Sequence, residues 1–294
     1  MNPKKLNKNN QPLHLNDIQK MLASFEDDIL PNIPSKDAIL QRAKQRKLKQ
    51  KYIGGALFAI CAMCFGLYSV NPSYQQYTVT TERGAQKTIR LSDGSQIMLN
   101  TESKILVQQK IRSRDIILQE GEASFHVAHA QGVLSGFFER TFQVNAGKMH
   151  IVDIGTIFNV QKLSATDASV SVLQGEVAVG ILGDKKGMIH LKQGQSLSNQ
   201  NEKLNPMLHV DLDMVQAWQT GHIIFNQTPL SNALENFQRY SDFKVELSDP
   251  TLKKLPISGQ FKTENYQNFM QVLPYVAEVK VSKSSENIWK IAKK

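Results

Sequence analysis

The sequence predicts a membrane-anchored protein of several domains: a short helical segment, one transmembrane helix, an all-β domain and a small C-terminal α+β domain. Three observations support this prediction. An uncharged apolar run fills residues 52–70, β-prone runs alternate with turn signals over 75–206, and strands alternate with helical stripes over 215–294. Together with residues 1–51, which precede the apolar run, these ranges are the four predicted domains.

The apolar run Tyr52–Val70 contains nineteen residues and no formal charge. At about 1.5 Å per residue, a helix of this length spans roughly 28 Å, which is close to the hydrocarbon thickness of a bilayer. Six Lys and Arg residues lie in positions 42–51, whereas positions 71–80 carry no charge. The positive-inside rule therefore places the N-terminus in the cytoplasm and the C-terminal domains on the other side of the membrane.

Two other interpretations of this run are open. A cleaved signal peptide would have a shorter apolar core near its N-terminus, but fifty mostly polar residues precede this one. A buried core helix fits a long uncharged run with a basic flank less well. The only cysteines, Cys61 and Cys64, lie inside the run, where a thiol behaves as a small apolar group. We therefore expect no redox site, and no disulfide within the outer domains.

The net charge of +9 is unevenly divided along the chain. Residues 1–51 hold eleven basic and five acidic residues, whereas residues 71–294 hold twenty-four and twenty-one. The basic excess is therefore concentrated beside the membrane, where topology and anionic lipid account for it. We expect no direct binding of nucleic acid.

Residues 1–51 contain an apolar pattern typical of an amphipathic helix. Five apolar residues recur at spacings of three and four, and we call them the inner stripe: Leu15, Ile18, Leu22, Phe25 and Ile29. Asn16 or Asp17 is predicted to cap this helix and Pro31 to end it, while Ser35 is predicted to cap a second helix that runs into the membrane span. Two short helices cannot bury a core, so either a partner protein or the membrane surface covers the inner stripe.

Residues 75–206 read as an all-β sandwich or roll, without a helix. Glycine-containing turn signals recur every eight to twelve residues between runs rich in Val, Ile, Thr and Phe. The predicted strands are Lys87–Leu91, Gln96–Leu99, Arg114–Leu118, Ala123–Val127, Met149–Asp153, Ile157–Gln161, Ser169–Leu173 and Val177–Ile181.

Residues 215–294 predict a small α+β domain with the order β-α-β, β-α-β-β. Thr228-Pro229 is predicted to start the first helix, with proline at the first helical position, and Pro274 to end or kink the second. Trp218 is predicted to be a core anchor of this domain. The helical stripes are Leu230, Ala233, Leu234 and Phe237, then Tyr266, Phe269, Met270 and Leu273.

Several segments resemble the FecR family of membrane-bound anti-sigma regulators, in the family's order and over residues 77 to about 230. They are Gln86–Asn100 (QKTIRLSDGSQIMLN), Leu118–His129 (LQEGEASFHVAH), Ile154–Val160 (IGTIFNV), Val172–Val179 (VLQGEVAV) and Ala217–Leu230 (AWQTGHIIFNQTPL). The last eighty residues are similar to the short domain shared by secretins and the signalling ends of TonB-dependent receptors. Residues 1–51 depart from the family, which usually begins with a longer helical segment containing tryptophan.

The resemblance implies a single-pass protein of the Gram-negative inner membrane, with a cytoplasmic N-terminus and a periplasmic C-terminus. It implies that the inner stripe binds an extracytoplasmic-function (ECF) sigma factor. It also implies that the outer domains contact the signalling domain of a TonB-dependent outer-membrane receptor, in iron uptake, and that periplasmic and intramembrane proteases release the signal. A periplasmic scaffold or assembly protein without a sigma partner is the alternative.

One peptide bond, Gly155-Thr156, is a candidate for self-cleavage. A strained turn would let the Thr156 hydroxyl attack the Gly155 carbonyl and form an ester that water cleaves. The resemblance adds that some family members cleave themselves at this motif. The alternative is structural: Gly155 shapes a turn and Thr156 packs in a strand.

No other pattern in the sequence indicates chemistry. His126 and His129 lie three residues apart without acidic or cysteine partners at a ligand spacing, so we expect no metal site. The nucleophile-elbow, zinc-protease, phosphate-loop and dinucleotide patterns are missing from the sequence. We therefore expect no enzymatic activity apart from self-cleavage, and no cofactor. A membrane-tethered hydrolase, the enzymatic alternative, would need a polar pocket that holds an acid or base with a perturbed pKa.

Overall fold

The computed structural model describes residues 15–29, 35–129, 139–184 and 187–294, with the side chains of 24–29 excepted. The chain divides between Ser69 and Val70 into two compact units. Each unit is described by itself below.

The first unit contains two helices, α1 (Leu15–Ile29) and α2 (Lys36–Val70). The predicted cap of α2 is confirmed, because the Ser35 hydroxyl accepts a hydrogen bond from the Ala38 backbone N–H at 3.2 Å. Helix α2 runs without interruption through the predicted span. It is the one helix in the described part of the chain that is long and apolar enough to cross a membrane.

Helix α1 begins earlier than predicted. Its first described residue is already Leu15, so Asn16 and Asp17 lie in the first turn and are not caps. An acidic side chain in that turn still stabilises the helix, because it offsets the positive end of the helix dipole. Pro31, the predicted stop, lies outside the described residues.

The second unit begins with two sheets that together form a β sandwich. Their strands pair antiparallel, except for the parallel pair β5 and β7. One sheet has the order β1-β4-β5-β7-β8-β11-β12, and the other has the order β14-β13-β10-β9-β6-β3-β2, with β15 added beside β13. The strands are β1 (Ser73–Thr80), β2 (Lys87–Arg90), β3 (Gln96–Leu99), β4 (Lys104–Lys110), β5 (Ser113–Glu120), β6 (Glu122–His126), β7 (Thr141–Ala146), β8 (Met149–Asp153), β9 (Ile157–Lys162), β10 (Ala168–Gln174), β11 (Glu176–Ile181), β12 (Ile189–Lys192), β13 (Gln195–Gln200), β14 (Lys203–Leu204) and β15 (Leu208–His209).

All eight predicted strands are confirmed to within two residues, and the described residues of 71–211 contain no helix. Alternate side chains of both sheets point into one shared core. At its centre the Phe125 ring stacks on Phe158 at 5.0 Å and meets Phe142 edge-on at 6.0 Å. Each fully buried aromatic or aliphatic side chain contributes about 1.5–3 kcal/mol to folding, so this core is the main source of the sandwich's stability.

The C-terminal part of the second unit is an α+β domain with the predicted order of strands and helices. After α3 (Leu212–Gln216) and a 3₁₀ turn, β16 pairs with β18 antiparallel, and a second sheet has the order β17-β20-β19. The elements are β16 (His222–Pro229), α4 (Leu230–Gln238), β17 (Lys244–Leu247), β18 (Pro256–Lys262), α5 (Tyr266–Val276), β19 (Val279–Ser285) and β20 (Ile288–Lys293). Both predicted helical stripes are fully buried between these elements.

Two predicted helix boundaries in this domain are displaced: the first helix begins one residue later than predicted, and the second does not end at Pro274. Thr228 and Pro229 end strand β16, so Pro229 caps α4 and is not its first residue. Pro274 lies inside α5, which continues to Val276. The proline removes one backbone hydrogen bond, and only two helical residues follow it.

Trp218 is buried, as expected of an anchor, but it does not belong to the aromatic core of the α+β domain. It lies in the 3₁₀ turn Ala217–Thr220. Its backbone carbonyl accepts a hydrogen bond of 2.7 Å from the Gln86 side chain, which belongs to the β sandwich. Trp218 therefore helps to join the sandwich to the α+β domain.

Candidate functional site

The Gly155-Thr156 bond lies in the short connection from β8 to β9, where the chain passes from one sheet of the sandwich to the other. Gly155 has φ +115°, a backbone conformation that side-chain-bearing residues adopt only with strain. Thr156 is buried, and its carbonyl accepts a hydrogen bond of 3.2 Å from the Val127 backbone N–H. The bond is thus held in a turn that the surrounding sandwich fixes from both sides.

A second glycine packs directly against this peptide. Gly175, in the turn from β10 to β11, has φ +81°, and a Cβ atom there would lie 2.0 Å from the Gly155 carbonyl oxygen. No side chain fits in that space. The close approach fixes the Gly155 carbonyl and explains the glycine at position 175, whereas the glycine at position 155 is explained by its positive φ.

The Thr156 hydroxyl begins a line of hydrogen-bonded side chains, which we call the polar chain: Thr156, Asp153, His129 and Glu139. Thr156 donates to one carboxylate oxygen of Asp153. The other Asp153 oxygen lies 3.0 Å from His129 Nε2, and His129 Nδ1 lies 2.7 Å from a Glu139 oxygen. The line connects the candidate bond to a partly exposed histidine.

Burial raises the pKa of Asp153 above its ordinary value, although the hydrogen bond from Thr156 and the nearby His129 act in the opposite direction. The Asp153 side chain is 1% exposed. A carboxylate with a raised pKa is a stronger proton acceptor than an ordinary one. It accepts the hydrogen bond from the hydroxyl that self-cleavage would use as the nucleophile.

An open cavity of about 430 Å³ adjoins the bond, and His126, His129, Gly155 and Thr156 line part of it. Water can therefore reach the peptide. The alternative, that Gly155 and Thr156 have a structural role only, also has support. The same Asp153 carboxylate accepts a hydrogen bond from the Gly155 backbone N–H, as in a purely structural turn.

His126 and His129, the two histidines that the sequence analysis considered as metal ligands, have different surroundings. Both ring nitrogens of His129 face carboxylate oxygens. His126 lies outside the polar chain, and burial lowers its pKa. In the described ranges no group of three or more His, Cys, Asp or Glu side chains is arranged to hold a metal ion.

The inner stripe is exposed as far as the structure describes it. Leu15, Ile18 and Leu22 are 75%, 43% and 61% exposed. The side chains of Phe25 and Ile29 lie outside the described residues. Three large apolar side chains are therefore exposed on one face of α1.

A buried polar network, which the sequence did not indicate, joins the sandwich to the α+β domain. Arg239, just after α4, lies 2.6 Å from Glu122 of β6. Glu122 also accepts hydrogen bonds from Asn100 and Asn159, and Asn100 donates to the Tyr240 hydroxyl at 2.8 Å. Burial raises the pKa of Tyr240 to about 12. The network attaches the α+β domain to the outer face of the sheet that contains β9.

Family models match both the β sandwich and the α+β domain. The family model described as FecR protein matches residues 77–178, and the model described as FecR, C-terminal matches residues 222–290. The protein is thus of the class that combines a FecR-type β domain with a FecR-type C-terminal domain. The chain belongs to the FecR family, as its sequence motifs predicted.

Solved structures share this fold. Two crystal structures of a proposed anti-sigma factor from Parabacteroides distasonis ATCC 8503 have 22% sequence identity to this chain and a TM-score of 0.60. They cover 75% and 74% of this chain, and 100% and 99% of their own. At this identity the similarity shows the fold alone. No curated protein matches the chain.

Proposed function

We propose that this protein is a single-pass inner-membrane anti-sigma regulator. In this proposal the inner stripe binds an ECF sigma factor in the cytoplasm, and the outer domains receive a signal from a TonB-dependent receptor, in iron uptake. The observation that supports it most is the combination of FecR-type domains with an exposed apolar stripe, in a chain whose described residues include one helix long and apolar enough to cross a membrane.

The sigma-binding half of the proposal depends on the first unit. A helix with three exposed large apolar residues on one face is a typical ligand for a hydrophobic groove. The structural neighbours described as anti-sigma factors and the family membership favour a sigma factor as the partner.

The receptor-binding half depends on the C-terminal domain. Its two small sheets leave strands at their edges, and edge strands offer unpaired backbone groups to an incoming strand. The exposed pair Tyr275 and Val276, at the end of α5, adds apolar surface to the same domain. Both features suit docking of another small domain.

The predicted topology has a direct test. Because six basic residues precede the span and none of the ten residues after it is charged, we expect the C-terminus in the periplasm. A periplasm-dependent reporter such as alkaline phosphatase, fused after residue 294, should be active, and a cytoplasm-dependent fluorescent reporter at the same site should be dark. The reverse pattern would contradict the proposal.

Receptor contact is expected to require residues 215–294. A full-length chain should bind the purified signalling domain of its receptor, whereas a chain that ends near Pro206 should lose at least tenfold in affinity, because it lacks the edge strands that would dock. Circular dichroism should confirm that the shortened chain keeps its β structure. Full affinity of the folded, shortened chain would move the contact to the β sandwich.

We further propose that the protein cleaves itself at Gly155-Thr156. The specific support is the Thr156 hydroxyl, which donates to a buried carboxylate beside a glycine with positive φ. The two fragments would stay together, because β8, before the bond, pairs with β11 after it, and β6 pairs with β9. A break held closed by the sheets would prepare the protein for the later action of periplasmic and intramembrane proteases.

A further inference from the structure

We propose that Asp153 is the general base of the self-cleavage, and that His129, held by Glu139, is a positioning residue that keeps Asp153 ionised. This inference depends on the proposed self-cleavage. It goes beyond that proposal because it names the proton acceptor, Asp153, and the residue that favours the ionised form of that acceptor, His129.

The two carboxylate oxygens of Asp153 have different partners. One oxygen accepts the Thr156 hydroxyl, so it is in place to take that proton. The other faces His129 Nε2 at 3.0 Å. A turn alone needs only the first contact and the Gly155 N–H, and it has no use for a histidine on the far side.

His129 is the one ion-pair partner of Asp153 in the described part of the chain. Glu139 lies 2.7 Å from the opposite ring nitrogen, so a carboxylate faces each of the two nitrogens of His129. A positive charge on His129 favours the ionised form of Asp153. Because His129 is partly exposed, it also connects the buried carboxylate to solvent.

The proposed reaction balances without a further reactant except water. As the Thr156 oxygen bonds to the Gly155 carbonyl carbon, Asp153 takes the hydroxyl proton. The bond from that carbon to the Thr156 nitrogen then breaks, and Asp153 returns the proton to the nitrogen, which leaves an ester and a free amine. Water adds to the ester carbon, and the products are a Gly155 carboxyl group and the restored Thr156 hydroxyl.

The charges around Asp153 predict how the rate depends on pH. They come from His129, which follows β6, and from Arg114 of β5, which itself pairs with Asp93. Glu139 lies on the far side of His129. Protonated Asp153 cannot accept the hydroxyl proton. Cleavage should therefore slow as the pH falls through the raised pKa of Asp153 and should be fastest above it.

The test uses the full-length protein, purified in detergent immediately after a short synthesis pulse. Mass spectrometry of denatured samples then follows the intact and cleaved fractions over time and pH. Asp153→Asn keeps the shape of the side chain but cannot take the proton, so the rate should fall at least a hundredfold. Asp167→Asn, in the turn between β9 and β10, is the matched control and should cleave at the wild-type rate.

A second variant covers the case in which Asp153→Asn distorts the turn. His129→Gln leaves the Thr156 and Gly155 contacts of Asp153 in place. It should move the acid limb of the pH profile to higher pH, because Asp153 loses the charge that favours ionisation. Unchanged rates in Asp153→Asn together with an unchanged profile in His129→Gln would overturn the inference. An intact wild-type protein would instead refute the proposed self-cleavage itself.

Discussion

Replacing Leu22 with aspartate is expected to abolish binding of the sigma factor by the full-length protein and to leave its membrane insertion unchanged. Leu22 lies at the middle of the inner stripe and is 61% exposed in the chain alone. If a partner buries it, an unpaired carboxylate there costs several kcal/mol, which weakens binding roughly a hundredfold or more. Phe25→Asp should have the same effect. Co-purification from detergent extracts measures both.

The matched control for this pair is Ala23→Asp. Ala23 is exposed on the same helix, one residue beyond Leu22 and therefore about 100° around the axis, away from the inner stripe. This variant adds the same charge to the same helix and should bind normally. Unchanged binding in both Leu22→Asp and Phe25→Asp would exclude α1 from the interface.

Thr156→Val is expected to stop self-cleavage completely. Valine has nearly the shape of threonine and packs well in a strand, but it has no hydroxyl to attack the Gly155 carbonyl. The wild-type protein should yield two fragments that meet at residues 155 and 156, and the variant should keep one intact mass. Denaturing mass spectrometry is the right measurement, because paired strands on either side of the break would hide it in a native gel.

Thr78→Val is the control for this substitution. Thr78 lies exposed in the edge strand β1, so its hydroxyl takes no part in the reaction and the variant should cleave like the wild type. Purification with protease inhibitors excludes outside enzymes. One intact mass for the wild-type protein would support the structural role of Gly155 and Thr156, and the signal would then depend on other proteases alone.

The sequence predicted strands where alternating Val, Ile and Phe residues made the pattern strong, and it missed strands that are more polar. β4 has the sequence KILVQQK and buries Gln109, and β13 has Leu197 as its only large apolar residue. Such strands depend on pairing with neighbours across the sheet, which the local pattern does not reveal. The helices of the C-terminal domain were easier to predict, because each buries one complete apolar stripe.

Only part of the candidate site could be predicted from the sequence. The Gly155-Thr156 hypothesis depends on two adjacent residues and was available from the sequence. The link from Asp153 to His129 was not, because it needs the end of β6 beside the end of β8. The contact between Glu122 and Arg239 joins positions 117 residues apart. Only the three-dimensional pairing of the strands and domains brings these groups together.

The most direct test of the account is to identify what the wild-type, full-length protein binds in the cytoplasm. Cells would be treated with a membrane-permeable crosslinker, the protein purified from solubilised membranes, and peptides crosslinked to residues 1–51 identified by mass spectrometry. The account predicts an ECF sigma factor crosslinked near α1, and its loss in Leu22→Asp. Crosslinks from residues 1–51 to lipid only, or to periplasmic assembly proteins, would contradict it.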